Sequence, residues 1–279
     1  MLTVIVPAHN EGRVIGRLLE RLVPGAADGE LDILVVANGC TDDTAEVVMA
    51  FGPSVRLLTA PVPSKREALA TGNEAADGFP RVYLDADVEL GADDVWALAR
   101  ALEAPGVLAA APARELDLAR SAWPVRWYYD IWARLPGVEA GLFGRGVIAV
   151  TEEGYKRLND LPPLLADDLA ASLAFGTDER TVVPDTRVVV HAPRTVRDLI
   201  RRRIRVVTGV AQIERSRDAP ASSERTSGRD LLAIVREDPR LAPRMFIFLA
   251  VTMAARARGN RAARRNDYTT WLRDESSRG

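Results

Sequence analysis

The sequence predicts an α/β fold: a mainly parallel, Rossmann-like sheet flanked by helices, with a C-terminal helical appendage. Three observations carry this. Apolar runs and stretches of helical periodicity alternate from Leu2 to Ala111 in the order β-α-β-α-β-α-β-α. The first apolar runs lack polar alternation, as strands buried on both faces do. Glu11, Asn38, Asp85 and Asp87 fall at or just past the C-terminal ends of these runs, where open α/β sheets hold their ligands.

Leu2–Val6 is the first strand, ended by Pro7. Val14, Ile15, Leu18, Leu19, Leu22 and Val23 recur at helical spacing and give the first helix one apolar face, stopped by Pro24-Gly25. Leu31–Val36 is the second strand, and Asn38-Gly39 turns the chain. Thr41 is the expected cap of the next helix, with Asp42 and Asp43 in its first turn. Val55–Leu58 is a third strand. Ser64 and Glu67 form a capping-box pattern for a helix reaching about Ala76. Val82–Leu84 is the fourth strand, and it runs straight into Asp85-Ala86-Asp87. Val95, Leu98, Ala99 and Leu102 mark another helix, and Val107–Ala111 a further strand.

The second half is less regular. Trp123, Trp127, Tyr128, Tyr129 and Trp132 form an aromatic helix, read either as packed on the core or as a platform for sugar rings. Gly141, Gly144 and Gly146 make a flexible loop without the strand-to-helix context of a phosphate cradle. Gly146–Val150 is a strand and Glu152–Leu158 a helix. Asp167-Asp168 opens an apolar helix, where carboxylates favour the helix dipole and one could serve as a general base. Thr181–Val183 and Arg187–Val190 are expected as two edge strands, the second ending at His191. Arg194–Glu214 is a basic helix. Arg201, Arg202, Arg203 and Arg205 go round it, so some must face inward.

Ala219–Arg229 has the polar, small-residue composition of a linker. It separates an expected catalytic unit, residues 1–215, from an arginine-rich appendage, residues 216–279. In the appendage Leu231–Val235 and Met245–Ala255 are apolar helical stretches, the second followed by Arg256, Arg258, Arg261, Arg264 and Arg265. That helix is too short to span a bilayer. It could dock on the rest of the chain, pair with a second copy as a homodimer, or lie on an anionic membrane surface.

Composition excludes several classes. With 279 residues and a net charge of −2, no global field favours nucleic acid. A single cysteine, Cys40, leaves no internal disulfide and fits a reducing compartment. The chain lacks a charged n-region followed by an apolar h-region, so no signal peptide is expected. The localisation this favours is cytoplasmic, with the basic tail allowing contact with the inner face of a membrane.

The chemistry-bearing residues begin with Asp85 and Asp87. Carboxylates spaced i, i+2 at a strand end can address one hard divalent cation or a diphosphate and its ribose. Alone, the pattern is weak evidence, since acidic residues at strand ends are common in solvated turns. Its companions resemble the family 2 glycosyltransferases, inverting enzymes of the GT-A fold that use nucleotide-activated sugars. Val4–Glu11 is similar to that family's opening strand and loop, and Val35–Thr44 to its second-strand motif. Ser64-Lys65 with Ala68 and Gly72-Asn73 is similar to its lysine-bearing segment, Asp85-Ala86-Asp87 to its DxD, Asp167-Asp168 to its later acidic pair, and Arg202–Arg205 to its basic motif. Three positions depart. Ala37 stands where an aspartate is usual, Ala70 where an asparagine is frequent, and the basic motif lacks Gln and Trp. The last weakens a processive, synthase-like reading.

The resemblance implies roles. Pro7, Glu11, Asn38 and Lys65 would line the nucleobase and ribose pocket. Asp85 would contact ribose or a metal-bound water. Asp87 would ligate Mg2+ or Mn2+, with His191 as a third ligand or else as a structural hydrogen-bonding group. Arg203 and Arg205 would neutralise the departing diphosphate. Asp168 would be the general base. Asp167, Gly141 and Trp127 would face the acceptor, a saccharide, a lipid-linked sugar or a small molecule. UDP-sugars are the expected donors, and polysaccharide or envelope-glycan synthesis is the expected setting. Two other readings compete. A nucleotidyltransferase would bring a Gly-rich basic loop after the first strand, where this chain has Pro7–Glu11. A non-catalytic sugar-nucleotide binder would have no use for Asp168.

Overall fold

The computed structural model describes residues 1–26, 29–161, 167–215 and 226–264; for 167–168, 211–215 and 262–264 it describes the backbone alone. The elements run β1 (Leu2–Ala8), α1 (Ile15–Leu22), β2 (Leu31–Asn38), α2 (Thr44–Met49), β3 (Arg56–Ala60), α3 (Lys65–Ala75), β4 (Arg81–Leu84), β5 (Val88–Glu89), α4 (Ala92–Ala101), β6 (Ala109–Asp117), α5 (Trp123–Trp132), α6 (Pro136–Ala140), β7 (Val147–Val150), α7 (Glu152–Asn159), α8 (Asp167–Leu173), β8 (Arg180–His191), α9 (Val196–Arg215), α10 (Gly228–Glu237) and α11 (Ala242–Arg264).

Eight strands form one sheet in the order β3-β2-β1-β4-β7-β6-β8-β5. β3, β2, β1 and β4 are parallel, which is the half the apolar runs predict. β7 lies antiparallel between β4 and β6, β8 parallel to β6, and β5 antiparallel to β8. The sheet is therefore mixed. Val4, Ile5, Val6, Leu34, Val35, Val82 and Ala149 are fully buried within it. The α1 face of Ile15, Leu18, Leu19 and Leu22 packs onto β1, β2 and β4 side chains in the largest apolar cluster.

Gly72 shows how closely α3 approaches β1. A methyl group there would sit 2.5 Å from Ile5 Cγ2, so only glycine lets the helix lie this near the strand. The expected Ser64 cap forms, its hydroxyl accepting the Glu67 N–H at 3.3 Å. Thr41, by contrast, does not cap α2. Its N–H donates to Asn10 Oδ1 at 2.8 Å, and the Asp42 carboxylate takes the Thr44 N–H at 3.1 Å, so the helix begins at Thr44.

Two strand expectations need correction. The strand expected at Val107–Ala111 starts at Ala109 and continues to Asp117. Arg114 and Glu115 end the apolar run, but pairing with β8 carries the strand past them, as far as Asp117 opposite His191. The two expected edge strands near 181–190 are one strand, β8, lying between β6 and β5. Register jumps from Val183 to Arg187 opposite the consecutive residues Pro112 and Ala113, so Pro184-Asp185-Thr186 bulge out. Pro184 has no N–H to give a ladder, which is why the sequence reads as a break there.

The appendage helix α11 packs along α5 and α9. Val125, Tyr128, Ile131 and Trp132 of α5, Leu199 of α9 and Met245, Phe248 and Val251 of α11 share one apolar cluster. The Tyr128 and Phe248 rings stack with centroids 5.1 Å apart, and Arg244 pairs with Asp130 at 2.7 Å. Most of the expected linker, residues 219–225, lies outside the described residues. Among those described, no helix is long and apolar enough to cross a membrane.

Candidate active site

The C-terminal ends of β1, β2 and β4 meet beside the N-terminus of α3. At β1 the chain leaves the sheet through Asn10, whose φ of 53° lets it turn sharply. Its side chain ties this loop to Thr41. Glu11 is buried, and its N–H donates to Thr44 Oγ1 at 2.8 Å. The Gly12 N–H donates to Asp42 Oδ2 at 3.1 Å. Burial alone would raise the Asp42 pKa. Hydrogen bonds from the Thr44 hydroxyl and the Gly12 and Thr44 N–H groups outweigh it and hold the carboxyl below its ordinary 3.8. The two loops that frame the expected nucleobase pocket are thus fastened to each other.

Asn38 is turned inward. It is 2 % exposed, and its amide donates to the Ala8 carbonyl at 2.8 Å and the Val36 carbonyl at 3.4 Å. His9 Nδ1 lies 2.7 Å from the Asn38 carbonyl oxygen, so that nitrogen carries the proton. Asn38 therefore ties β1 to β2. Gly39 follows at φ 54°, where an added methyl would sit 2.6 Å from Pro63 N. The β2 turn thus packs closely on the loop that leads from β3 into Ser64 and Lys65.

Lys65 Nζ reaches Asp85 Oδ1 at 2.9 Å, each side chain 31 % exposed. The first aspartate of the DxD and the lysine of the neighbouring helix thus share one place. Asp85 N–H donates to the Gly146 carbonyl at 2.8 Å. Gly146 has φ 67°, and a methyl on it would lie 2.8 Å from Val88 Cγ1 and 3.1 Å from Asp85 Oδ2. The glycine loop is therefore packed directly on the DxD. Its other end is fixed to α8: Leu142 N–H donates to the buried Ser172 Oγ at 3.0 Å. Ser172 lies on the short helix that Asp167 and Asp168 open. The Asp167 and Asp168 side chains are outside the described residues.

His191 sits where β8 ends. Val88 pairs with Val190, so the ladder places Asp87 next to His191. Both ring nitrogens are engaged: Nδ1 lies 2.9 Å from Asp117 Oδ2 and Nε2 2.9 Å from Glu89 Oε1. Glu89 also pairs with Arg21 at 2.7 Å. The Ala119 N–H and the His191 ring together hold the Asp117 carboxyl below its ordinary value. The His191 ring thus links Asp117 to Glu89. Among the described residues no three His, Cys, Asp or Glu side chains converge on a metal position.

The remaining expected ligands have contacts of their own. The Arg203 guanidinium stands over the buried Tyr128 ring, 5.9 Å from its centroid, facing the α5 cluster. Arg205 is half-buried on α9. The aromatic helix is mostly core: Tyr128, Tyr129 and Trp132 are buried. Half-buried Trp127 packs edge-on against exposed Trp123, centroids 4.8 Å apart. Gly141 accepts the Arg145 Nε–H through its carbonyl at 3.1 Å.

Sequence reasoning missed the cations around the glycine loop. Arg145, 2 % exposed, holds the Gly141 and Glu139 carbonyls. Arg114 donates to the Phe143 and Val138 carbonyls and lies 4.3 Å over the Trp132 ring. Burial, with Arg145 and Arg202 adding like charge, lowers the Arg114 pKa from 12.5 to about 9, so it stays cationic at neutral pH. The clue available was Arg145 between Gly144 and Gly146, an arginine inside a loop of small residues.

Comparisons with known proteins bear on the family and the fold. Glycosyl transferase family 2 matches residues 3–147. A 4,4'-diaponeurosporenoate glycosyltransferase of Staphylococcus aureus is 39% identical over 54 residues, which is 19% of this chain and 14% of that relative. Among solved structures, a mannosyltransferase from Pyrobaculum calidifontis, in complex with GDP-Man and Mn2+, is similar at TM-score 0.63 and 23% identity. The likeness covers 94% of this chain and 75% of that one. Glucosyl-3-phosphoglycerate synthase from Mycobacterium tuberculosis, with Mn2+, UDP and glucosyl-3-phosphoglycerate, is similar at TM-score 0.57 and 22% identity, covering 80% of this chain and 81% of that one. These likenesses show a GT-A fold. With the family match running from β1 through the DxD to the first residue of β7, the chain belongs to glycosyl transferase family 2.

Proposed function

We propose that the chain transfers a sugar from a nucleoside-diphosphate donor to an acceptor hydroxyl with inversion. The observation that carries this reading is the chain of contacts from Lys65 through Asp85 and Gly146 to Leu142 and Ser172. It joins the DxD to the helix that begins with Asp167 and Asp168. Residues 1–215 would carry the reaction, with residues 216–279 as the appendage.

The donor's base and ribose would lie between Pro7, Glu11 and the β2 turn, with Asn38 shaping the floor. Lys65 and Asp85 would open their ion pair toward the ribose and phosphates. The donor set suits Mg2+ or Mn2+, since Asp85 and Asp87 offer hard oxygens and such ions complete their shell with phosphate and water. Asp87 would hold the ion, and His191 could join only by giving up Glu89 or Asp117. When bound there, the ion supplies Lewis-acid stabilisation to the departing diphosphate. The structurally similar proteins that hold Mn2+ with GDP-Man or with UDP support a divalent ion beside the donor.

Asp168 would take the proton of the acceptor hydroxyl as its oxygen attacks the anomeric carbon. The bond from that carbon to the diphosphate oxygen breaks on the opposite face. Asp167, Gly141 and Trp127 would orient the acceptor, and Arg205 would balance phosphate charge. A melting screen with UDP-, GDP- and dTDP-sugars, with and without Mn2+, identifies the donor. A ligand at a hundred times its Kd adds about 2.7 kcal/mol of stability, a rise of roughly 5–10 °C for a chain of this size. Asp168→Asn should then abolish transfer at unchanged donor affinity. Surviving turnover would reject the base, and no shift with any sugar nucleotide would reject the reading.

A further inference from the structure

The C-terminal helix α11 has two apolar faces, and only one of them is used by the fold. Met245, Phe248, Val251 and Ala255 are buried against α5 and α9. On the far side Phe246 is 72 % exposed, Met253 63 % and Leu249 38 %, with exposed Ala250 and Ala257 between and beyond them. At 3.6 residues per turn these five positions fall within a stripe roughly 100° wide, running three turns along the helix. Single exposed apolar side chains are ordinary on any surface. A continuous stripe of them on a helix already docked by its other face marks a surface with a partner.

Charge says which partner. Ala242–Arg264 contains no acidic residue. Arg256, Arg258 and Arg261 are exposed, and helical spacing puts Arg256 and Arg261 on opposite flanks of the stripe. A second copy is a poor occupant. Whichever way two such helices pair along the stripe, neither offers an acidic side chain to Arg256 and Arg261 of the other, and parallel pairing sets each of these arginines beside itself. We propose that this face of α11 lies on an anionic lipid surface, with Phe246, Leu249 and Met253 in the acyl boundary and the flanking Arg256 and Arg261 on lipid phosphates. Apolar insertion and basic charge are the two weak signals that together hold a protein reversibly at a membrane. The inference is independent of the reaction proposed above, because it uses neither the DxD nor any donor contact.

The test is co-sedimentation of the whole chain with vesicles of phosphatidylcholine alone and of phosphatidylcholine with about 30% phosphatidylglycerol. Binding is expected to the anionic vesicles only, and to fall at least about tenfold on raising salt to roughly 0.5 M, where the screening length is a few ångströms. Phe246→Ser with Met253→Ser should lower binding by about tenfold or more, since each loses apolar area from the acyl boundary. Arg256→Glu with Arg261→Glu should do the same by reversing charge. All four sites are exposed, so far-ultraviolet dichroism and the melting temperature of both variants should match the parent. Equal sedimentation with both vesicle types, none with either, or unchanged binding by either variant overturns the proposal. So does a parent dimer in light scattering that Phe246→Ser with Met253→Ser turns into monomer without vesicle binding.

Discussion

Gly146→Ala is the substitution that most directly tests how the site is built. Two penalties apply. The φ of 67° places a β-carbon-bearing residue in the left-handed region, at a cost of about 1–2 kcal/mol. The new methyl would also stand 2.8 Å from Val88 Cγ1, 3.1 Å from Asp85 Oδ2 and 3.2 Å from Asp85 Cβ. Forced repacking of that kind costs about 1–3 kcal/mol. Together they come to roughly 2–5 kcal/mol, or a fall in melting temperature of about 5–15 °C for a protein of this size. Gly52→Ala is the control. Gly52 also has positive φ, 63°, but a methyl there meets nothing within 4 Å, so it carries only the backbone penalty. The extra loss in Gly146→Ala measures the pressure on Asp85 and Val88. Because those residues flank Asp87, Gly146→Ala should also weaken Mn2+-dependent nucleotide binding in calorimetry, and Gly52→Ala should not. If the two variants melt within about a degree of each other and bind nucleotide alike, the contact between the glycine loop and the DxD is not what holds the site.

Other outcomes are expected. Asp87→Ala should remove the metal-dependent part of nucleotide binding, read as loss of the Mn2+-stimulated melting shift. Ser172→Ala removes the hydroxyl that accepts the Leu142 N–H, at a cost of about 1–3 kcal/mol for a buried group left unsatisfied. With the glycine loop and α8 uncoupled, steady-state kinetics should show kcat fall while the donor KM stays near the parent value. Asp42 and Asp117 both have folded-state pKa values below the ordinary 3.8. Their contributions to stability are complete above that unfolded value and are lost as pH falls through the lower folded-state values. A melting curve series should therefore drop below about pH 4, and Asp42→Asn should flatten part of that drop.

The parallel half of the sheet was legible because each strand is a short apolar run ended by a turn residue, with nothing in the local pattern contradicting the fold. Leu2–Val6, Leu31–Val36 and Val82–Leu84 all read this way. β6 was half legible: its charged residues Arg114 and Glu115 look like a strand's end, and only pairing with β8 keeps them extended. β8 was read as two strands because a proline stands in the middle of it. The site divides similarly. The DxD, the lysine segment and the acidic pair carry recognisable spacing. The inward turn of Asn38, the seat of Arg203 on Tyr128 and the holding of His191 by Glu89 and Asp117 depend on which face of a distant element each side chain meets. Local sequence holds no record of that.

Strand β5 contributes two residues to the sheet, and its ladder partner is β8, more than ninety positions later in the chain. The stretch matching the family ends at residue 147, well short of that partner. A fragment cut at the match would keep both aspartates, yet would strip the short strand behind them of its neighbour, together with most of β7 and the imidazole linking Glu89 to Asp117. The recognisable half of the molecule is therefore not a self-sufficient unit of the sheet, and a swap between relatives at that boundary would exchange the acids while discarding their scaffold.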